Sequence, residues 1–408
     1  MIRTKYLPVA VVLLTLSSKA QHPFKFDNTI YNAVYLNEAF RLMDSVQNYL
    51  LLDVRSPGEY ADTSRSTVLN IGRIRGSINI AIDSVPSHLE ELKKYINQPV
   101  FIYCSHSQRS RRVSKFLAEN GFKKVYNING GMTQVNESDD KDFPYKNKFL
   151  TTNLAYKNID SKDAFDLIKN TAGLVIIDIR TESEFASRDS LMQNNIGHLK
   201  NAINIPQAVF SEKIDSYRIA AGSPILLYDL HGYNSMDVVD ILRAKGFSRI
   251  YNLFEGLEGF MSDHRLGVRQ VNELTTKSPA YQMLDPKASI DLLKQQPDLV
   301  IIDCRPEDEF NNKASMSHAN LGRMKGAIHV LSADSLENII RQKNKSASFL
   351  VYGSGSDNGA LICRELIKKD CHHIYYLSQG LYHFVWSTAN LEDCRDGKEF
   401  LTNHEGLY

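Results

Sequence analysis

Short apolar runs alternate along this chain with stretches in which apolar residues recur every three or four positions. The runs ending at Asp53 and Tyr103, and Val125 to Ile128, have the length and β-branched or aromatic make-up of buried strands. Helical spacing is read from Asn37, taken as an N-cap before Ala39, Phe40 and Met43, and over Arg109 to Asn120, where Val113, Phe116 and Leu117 share a face and Gly121 ends the helix. A short strand, Ile78 to Ile80, and a helix opened by the capping pattern Ser87-His-Leu-Glu90 lie between them. This alternation predicts an α/β unit: a parallel sheet flanked by helices on both faces, with ligands at the carboxyl ends of the strands.

The same pattern occurs three times. Leu51-Leu-Asp53-Val-Arg55-Ser-Pro-Gly-Glu59-Tyr60 returns as Ile176-Ile-Asp178-Ile-Arg180-Thr-Glu-Ser-Glu184-Phe185 and as Ile301-Ile-Asp303-Cys-Arg305-Pro-Glu-Asp-Glu309-Phe310, at a constant spacing of 125 residues (53 to 178, 178 to 303). Gly72-Arg-Ile-Arg-Gly-Ser-Ile, Gly197-His-Leu-Lys-Asn-Ala-Ile and Gly322-Arg-Met-Lys-Gly-Ala-Ile keep that register, and a late turn and strand ends at Tyr126, Tyr251 and Tyr375, one residue short in the last copy. A period this long is a whole domain rather than a solenoid repeat. The chain is therefore divided into a leader (1–20) and three domains (21–150, 151–277 and 278–408), with linkers at Asn136 to Asn147 and about Ser262 to Leu284.

Composition removes some function classes. Lys and Arg number 48 against 47 Asp and Glu, so no net field draws in nucleic acid. Arg3 and Lys5, the apolar run Tyr6 to Leu16 and Ser18-Lys-Ala20 have the layout of a cleaved secretory signal. That run is too short to span a bilayer. The expectation is an exported, periplasmic protein beginning at Gln21, with no membrane anchor. Five cysteines are too few and too uneven for a disulfide scaffold, and they lack metal-ligand spacing. In an exported chain a disulfide among Cys363, Cys371 and Cys394 stays open.

The candidate chemistry is concentrated in Tyr103-Cys104-Ser105-His106-Ser107-Gln108-Arg109-Ser110. A strand delivers Cys104 into a polar loop that becomes a helix, where free N–H groups and the helix dipole favour a thiolate, the nucleophilic form of cysteine. Aligned through the preceding tyrosine, the other copies read Tyr228-Asp229-Leu-His-Gly-Tyr-Asn234-Ser235 and Tyr352-Gly353-Ser-Gly-Ser-Asp-Asn358-Gly359. The cysteine and the arginine are lost in both. Asp229 reads as quenching the loop rather than as a nucleophile, and His106 as a solvated side chain more than an acid or base. Asp53 and Arg55 recur in copies that lack the cysteine, so they read as structural.

The loop, with the Asp-x-Arg-x-x-x-Glu, Gly-x-Ile-x-Gly-Ser-Ile and Gly-Phe-x-x-Val segments, resembles the rhodanese family of sulfurtransferases over residues 30 to 400. The resemblance implies a persulfide carried on Cys104 and cradled by residues Ser105, His106, Ser107, Gln108, Arg109 and Ser110. Its partners would be a small sulfur donor such as thiosulfate and a cyanide or thiol acceptor, with no cofactor and no metal. Four residues between Cys104 and Arg109 match rhodaneses, whereas related dual-specificity phosphatases and arsenate reductases use five. The chain departs from the family at Ser107, where many members have glycine, and at Arg73, where many have the histidine that copy two keeps as His198. Competing readings are a binding, scaffolding or sulfur-carrier protein whose second and third domains hold a protein partner, and a phosphatase-like enzyme.

Overall fold

A computed structural model describes residues 30–139, 141–343, 345–354 and 359–403. The proposed leader lies outside the described residues. Each copy of the repeat is a five-stranded, wholly parallel sheet flanked by helices. The first runs Asn32–Val34, Lys124–Ile128, Pro99–Tyr103, Leu50–Asp53, Ile78–Asn79. The second runs Ile203–Asn204, Val175–Asp178, Ile225–Tyr228, Ile250–Leu253, Lys157–Ile159, and the third Gln282–Leu284, His373–Leu377, Ser348–Tyr352, Val300–Asp303, Ile328–His329.

The central strand shows why its sequence is apolar throughout. Val100, Ile102 and Cys104 face one core with Val113, Leu117 and Phe122, while Phe101 and Tyr103 face the other with Phe40, Met43 and Met132. Both faces of the strand are covered by helices, so alternation in space leaves no polar alternation in sequence. Beneath the carboxyl end of the sheet lies a buried ion pair. Asp53 accepts from Arg55 N, Nε and Nη2 at 2.9, 3.1 and 2.7 Å, and Arg55 Nη2 also donates to the Gly72 carbonyl. Asp178 with Arg180 and Asp303 with Arg305 repeat it, against the Gly197 and Gly322 carbonyls. These pairs brace the turns after the second strand of each sheet, the structural role the recurrence suggested.

The structure corrects several local expectations. The first helix is Leu36–Ser45, entered from Tyr35 without a side-chain cap; Asn37 lies in its first turn and donates to the Asp142 carbonyl at 2.8 Å. Leu36 is buried, so the apolar face begins one residue before the expected cap. Ser87 caps nothing: Pro86 interrupts the stretch into short turns, and the Ser87 hydroxyl donates to the Ser84 carbonyl. The polar stretch Asn136 to Asn147 is packed rather than loose. Asn136 sits in helix Gly131–Glu137 and donates to the Ile71 carbonyl, while Phe143 is buried edge-on to Phe40 at 4.9 Å. Ser262 to Leu284 does join the second unit to the third, as expected, and holds helix Val268–Leu274 and two strands. Each connection leaves its unit as an antiparallel strap: Leu150–Thr151 on Arg73–Ile74, Thr275–Thr276 on His198–Leu199 and Leu401–Thr402 on Arg323–Met324. All five cysteines are free and buried, so the disulfide left open among Cys363, Cys371 and Cys394 does not form. Among the described residues no helix is long and apolar enough to cross a membrane.

The three units close head to tail. Helix Gly131–Glu137 packs on strand Lys157–Ile159 of the second unit, and helix Gly256–Ser262 packs on strand Gln282–Leu284 of the third. The equivalent helix of the third unit, Gly380–Asn390, returns to the first unit and lies against the Cys104 loop.

Candidate active site

Cys104 ends the central strand, 1% exposed, and helix Gln108–Glu119 begins four residues later. The loop between them is anchored from below. Met132 N donates to the Cys104 carbonyl and Thr133 N to the Ser105 carbonyl, both at 3.0 Å. Gly131 makes that approach possible, since a Cβ there would lie 2.2 Å from the Cys104 carbonyl oxygen. Ser107 takes a left-handed conformation, φ 74°, which a non-glycine residue adopts only at a cost. Its hydroxyl offsets the strain by accepting from Gly130 N at 2.6 Å. Ser110 donates to Asn127 Oδ1 at 2.6 Å and fixes the start of the helix.

Arg109 ties the loop to the segment that follows strand Leu50–Asp53. Its guanidinium is held bidentately by Glu59, with both contacts at 2.7 Å, and it also donates to the Ser105 hydroxyl at 2.9 Å. Glu59 closes a capping box with Ser56 at the start of helix Pro57–Tyr60. Burial alone would raise the Glu59 pKa, but the hydrogen bonds from Arg109 and Ser56 outweigh it and hold it at about 2. The arginine is therefore mainly a clamp between the loop and the Asp-x-Arg-x-x-x-Glu segment. Arg109→Ala should remove at least one charge-assisted hydrogen bond, about 1.5–3 kcal/mol, or roughly 10–100-fold if that energy holds the reactive geometry; steady-state turnover checks it. Because the folded pKa of Glu59 lies below its ordinary ~4.3, the stabilisation it gives is fully present above that value. It is lost as pH falls toward about 2. Thermal melts over that window should fall in the wild type and be flatter in Glu59→Gln.

The second unit shows what this loop is shaped to hold. Asp229, in the place of Cys104, accepts from the backbone N–H of His231 at 2.9 Å and of Ser235 at 3.2 Å, and also from Gly232 N and Asn234 N. Four amides thus converge on one carboxylate, an anion nest closed by its own residue. The supports below it match: Leu257 N donates to the Asp229 carbonyl, and Ser235 bonds Asn252 as Ser110 bonds Asn127. In the third unit Gly353 supplies no side chain at this position, and its carbonyl accepts from Leu381 N at 2.8 Å.

The third unit contributes to the first unit's loop. Trp386 Nε1 donates to the His106 carbonyl at 3.2 Å, and their rings meet edge-on at 6.3 Å. Arg111, fully buried, donates to Asn129 Oδ1, to the Ala389 carbonyl and to Asn390 Oδ1. A guanidinium at the carboxyl end of helix Gly380–Asn390 complements that end's partial negative charge. Trp386→Ala should free the loop by about one hydrogen bond, roughly 1 kcal/mol or about 5-fold, seen as faster alkylation of Cys104.

Of the residues predicted from sequence, Cys104, Ser105, Ser107 and Ser110 are buried in the loop, Arg109 is partly covered, and Gln108 and His106 face solvent. The protein packed around the His106 ring, together with the Arg109 charge, lowers its imidazole pKa, and the Glu59 charge opposes that shift. Sequence reasoning passed over Glu59, Arg111, Trp386 and Asn390. Glu59 carried a signal, being the last residue of the repeated Asp-x-Arg-x-x-x-Glu segment, and Trp386 is the chain's single tryptophan. The roles of Arg111 and Asn390 depend on a contact between distant units and leave no local mark.

The rhodanese-like domain family matches residues 36–138, 161–263 and 286–385, most of the chain. The protein belongs to the rhodanese family, with three such domains in tandem. Among named relatives, the thiosulfate sulfurtransferase GlpE of Coxiella burnetii is 29% identical over 114 residues, 27% of this chain and 92% of its own length. The tRNA uridine(34) hydroxylase of Pelagibacter ubique is 34% identical over 86 residues, 20% of this chain and 25% of its own. Among solved structures, thiosulfate sulfurtransferase from Pseudomonas aeruginosa is 16% identical and overlaps 87% of this chain and 65% of that one, with a TM-score of 0.22. Reduced CoADR-RHD of Bacillus anthracis is 27% identical, over 30% of this chain and 18% of that one, with a TM-score of 0.23. The chain is a sulfurtransferase-family protein in which the first of three equivalent loops carries a cysteine, Cys104.

Proposed function

We propose that the first domain moves a sulfane sulfur from a donor such as thiosulfate to a thiol or cyanide through a persulfide on Cys104. The Cys104 thiolate attacks the outer sulfur of thiosulfate, the donor's S–S bond breaks, and sulfite leaves with the electron pair. The acceptor then attacks the outer sulfur of the persulfide and returns Cys104 as a thiolate, a ping-pong scheme. The observation that carries this reading is the nest around Asp229: an equivalent loop, equivalently anchored, closes its amides on an anion at the place where Cys104 stands. A terminal persulfide anion is the counterpart of that carboxylate, with residues Ser105 to Ser110 as its cradle. The names of the GlpE relatives and the four-residue spacing to Arg109 support the same chemistry.

Treatment with thiosulfate followed by intact-mass measurement tests it: the protein should gain one sulfur atom, at Cys104, and lose it on addition of cyanide. Failure to gain sulfur, with hydrolysis of a phosphate ester instead, would move the assignment to the phosphatase chemistry. The reading includes export, on residues 1–20, to a compartment where the second and third domains serve the first as a platform. N-terminal sequencing of exported protein should begin at Gln21; retention of Met1 counts against it.

A further inference from the structure

Where the three units meet, a cavity of about 410 Å³ opens between them. Seven carboxylates line it, against Arg265 and Lys287 as the lining Arg and Lys residues. Arg265 is engaged by Asp263 at 2.7 Å and Asp142 at 3.3 Å, and Lys287 by Asp291 at 2.5 Å. The cavity thus carries an excess of negative charge. On its wall stand Glu137 of the first unit, Glu255 of the second and His383 of the third, with one ligand atom from each lying within 4.8 Å of the others.

Two features distinguish this cluster from the nearby Asp263, His264 and Asp285, which are satisfied by one another and by Arg265. His383 Nδ1 and the neighbouring Gln134 Oε1 are shielded from solvent and have no hydrogen-bond partner among the described residues. A buried polar atom left so costs about 1–3 kcal/mol. The second feature is Gly259, inside helix Gly256–Ser262, where alanine would be favoured by about 1 kcal/mol. A Cβ there would lie 2.3 Å from Glu255 Cβ, so the glycine makes room for the Glu255 side chain to fold over the helix. A neutral imidazole is the form that ligates a metal.

We propose that Glu137, Glu255 and His383 form a divalent transition-metal site, with Zn²⁺ as the ion that fits, that ties the three units together at their junction. Two carboxylates and an imidazole suit Zn²⁺, with bonds of about 2.0–2.2 Å, and an imidazole ligand weighs against Mg²⁺ and Ca²⁺. Donors of a tetrahedral site at that radius lie about 3.3–3.6 Å apart, so ligand atoms within 4.8 Å of one another must draw in by about 1 Å. His383 stacks on Trp386 at 5.9 Å, so the ion would also steady the helix that rests on the Cys104 loop.

The test uses full-length protein with Cys104→Ser, so that no reactive thiolate competes for the ion, freed of metal by chelator and titrated with ZnCl₂ by calorimetry and thermal melts. One equivalent is expected to bind and raise the melting temperature. His383→Ala and Glu255→Gln should each weaken binding by more than the roughly 10–100-fold that even an outer-shell partner is worth. A cooperative melt of metal-free Glu255→Gln near that of the wild type shows that the variant folds. X-ray absorption of the zinc complex should show oxygen and nitrogen neighbours without sulfur. Absence of stoichiometric binding, binding unchanged in both variants, or sulfur in the coordination shell overturns the proposal.

Discussion

Cys104→Ser should leave a folded protein with sulfur transfer reduced to the uncatalysed background, a loss on the order of 10⁶-fold if it follows the scale for removal of a covalent nucleophile. The hydroxyl of serine is barely ionised near neutral pH and holds no transferable sulfur, whereas its shape is nearly that of cysteine. Cys104 packs with Val113, Leu117 and Phe122 and is 1% exposed, so a near-isosteric exchange disturbs little. Because Asp229 and Gly353 stand at the equivalent positions, the other two domains should supply no residual turnover. Cys104→Asp extends the argument: the second domain shows that this loop accepts a carboxylate on its amides, so the variant should fold, remain inactive and gain no sulfur. A thiosulfate and cyanide assay, with melts of each variant, checks all three statements. Turnover surviving in Cys104→Ser would place the chemistry elsewhere in the chain.

How much of this was legible in the sequence depends on the distance over which each feature acts. The three units and their parallel sheets were readable because Asp53, Asp178 and Asp303 recur in register and because strands covered on both faces must be apolar throughout. The loop was readable because strand, cysteine and helix are contiguous, and Ser107 was recognisable as a departure from glycine; its φ of 74° confirms the conformation that glycine would ease. Polar stretches were misread where hydrogen bonds bury them, as Asn136 does against the Ile71 carbonyl. The pairing of Arg109 left no local mark because its partner Glu59 lies 50 residues away. Glu137, Glu255 and His383 are not at equivalent positions of the repeat, so self-comparison gave no reason to group them. Their neighbourhood exists only once three domains have closed on one another.

Asp53→Ala should cost about 3–5 kcal/mol, the scale for breaking a buried ion pair by removing one partner, out of the roughly 5–15 kcal/mol that holds a domain together. Both side chains of the Asp53–Arg55 pair are fully buried. Without the carboxylate, the Arg55 guanidinium keeps its bond to the Gly72 carbonyl but loses its counter-charge while fully buried. Two comparisons separate a structural role from a catalytic one. Asp178→Ala, in a domain without the cysteine, should cost a similar amount, since its pair makes the same contacts at 2.7 Å and is 0–2% exposed. Hydrogen exchange should then open the second domain rather than the first. Replacing both partners, Asp53→Leu with Arg55→Met, should recover most of the loss, because an apolar pair carries no desolvation cost. If Asp53→Ala melts like the wild type while turnover falls, or if the double exchange is as unstable as the single one, the pair is not the electrostatic brace its geometry describes.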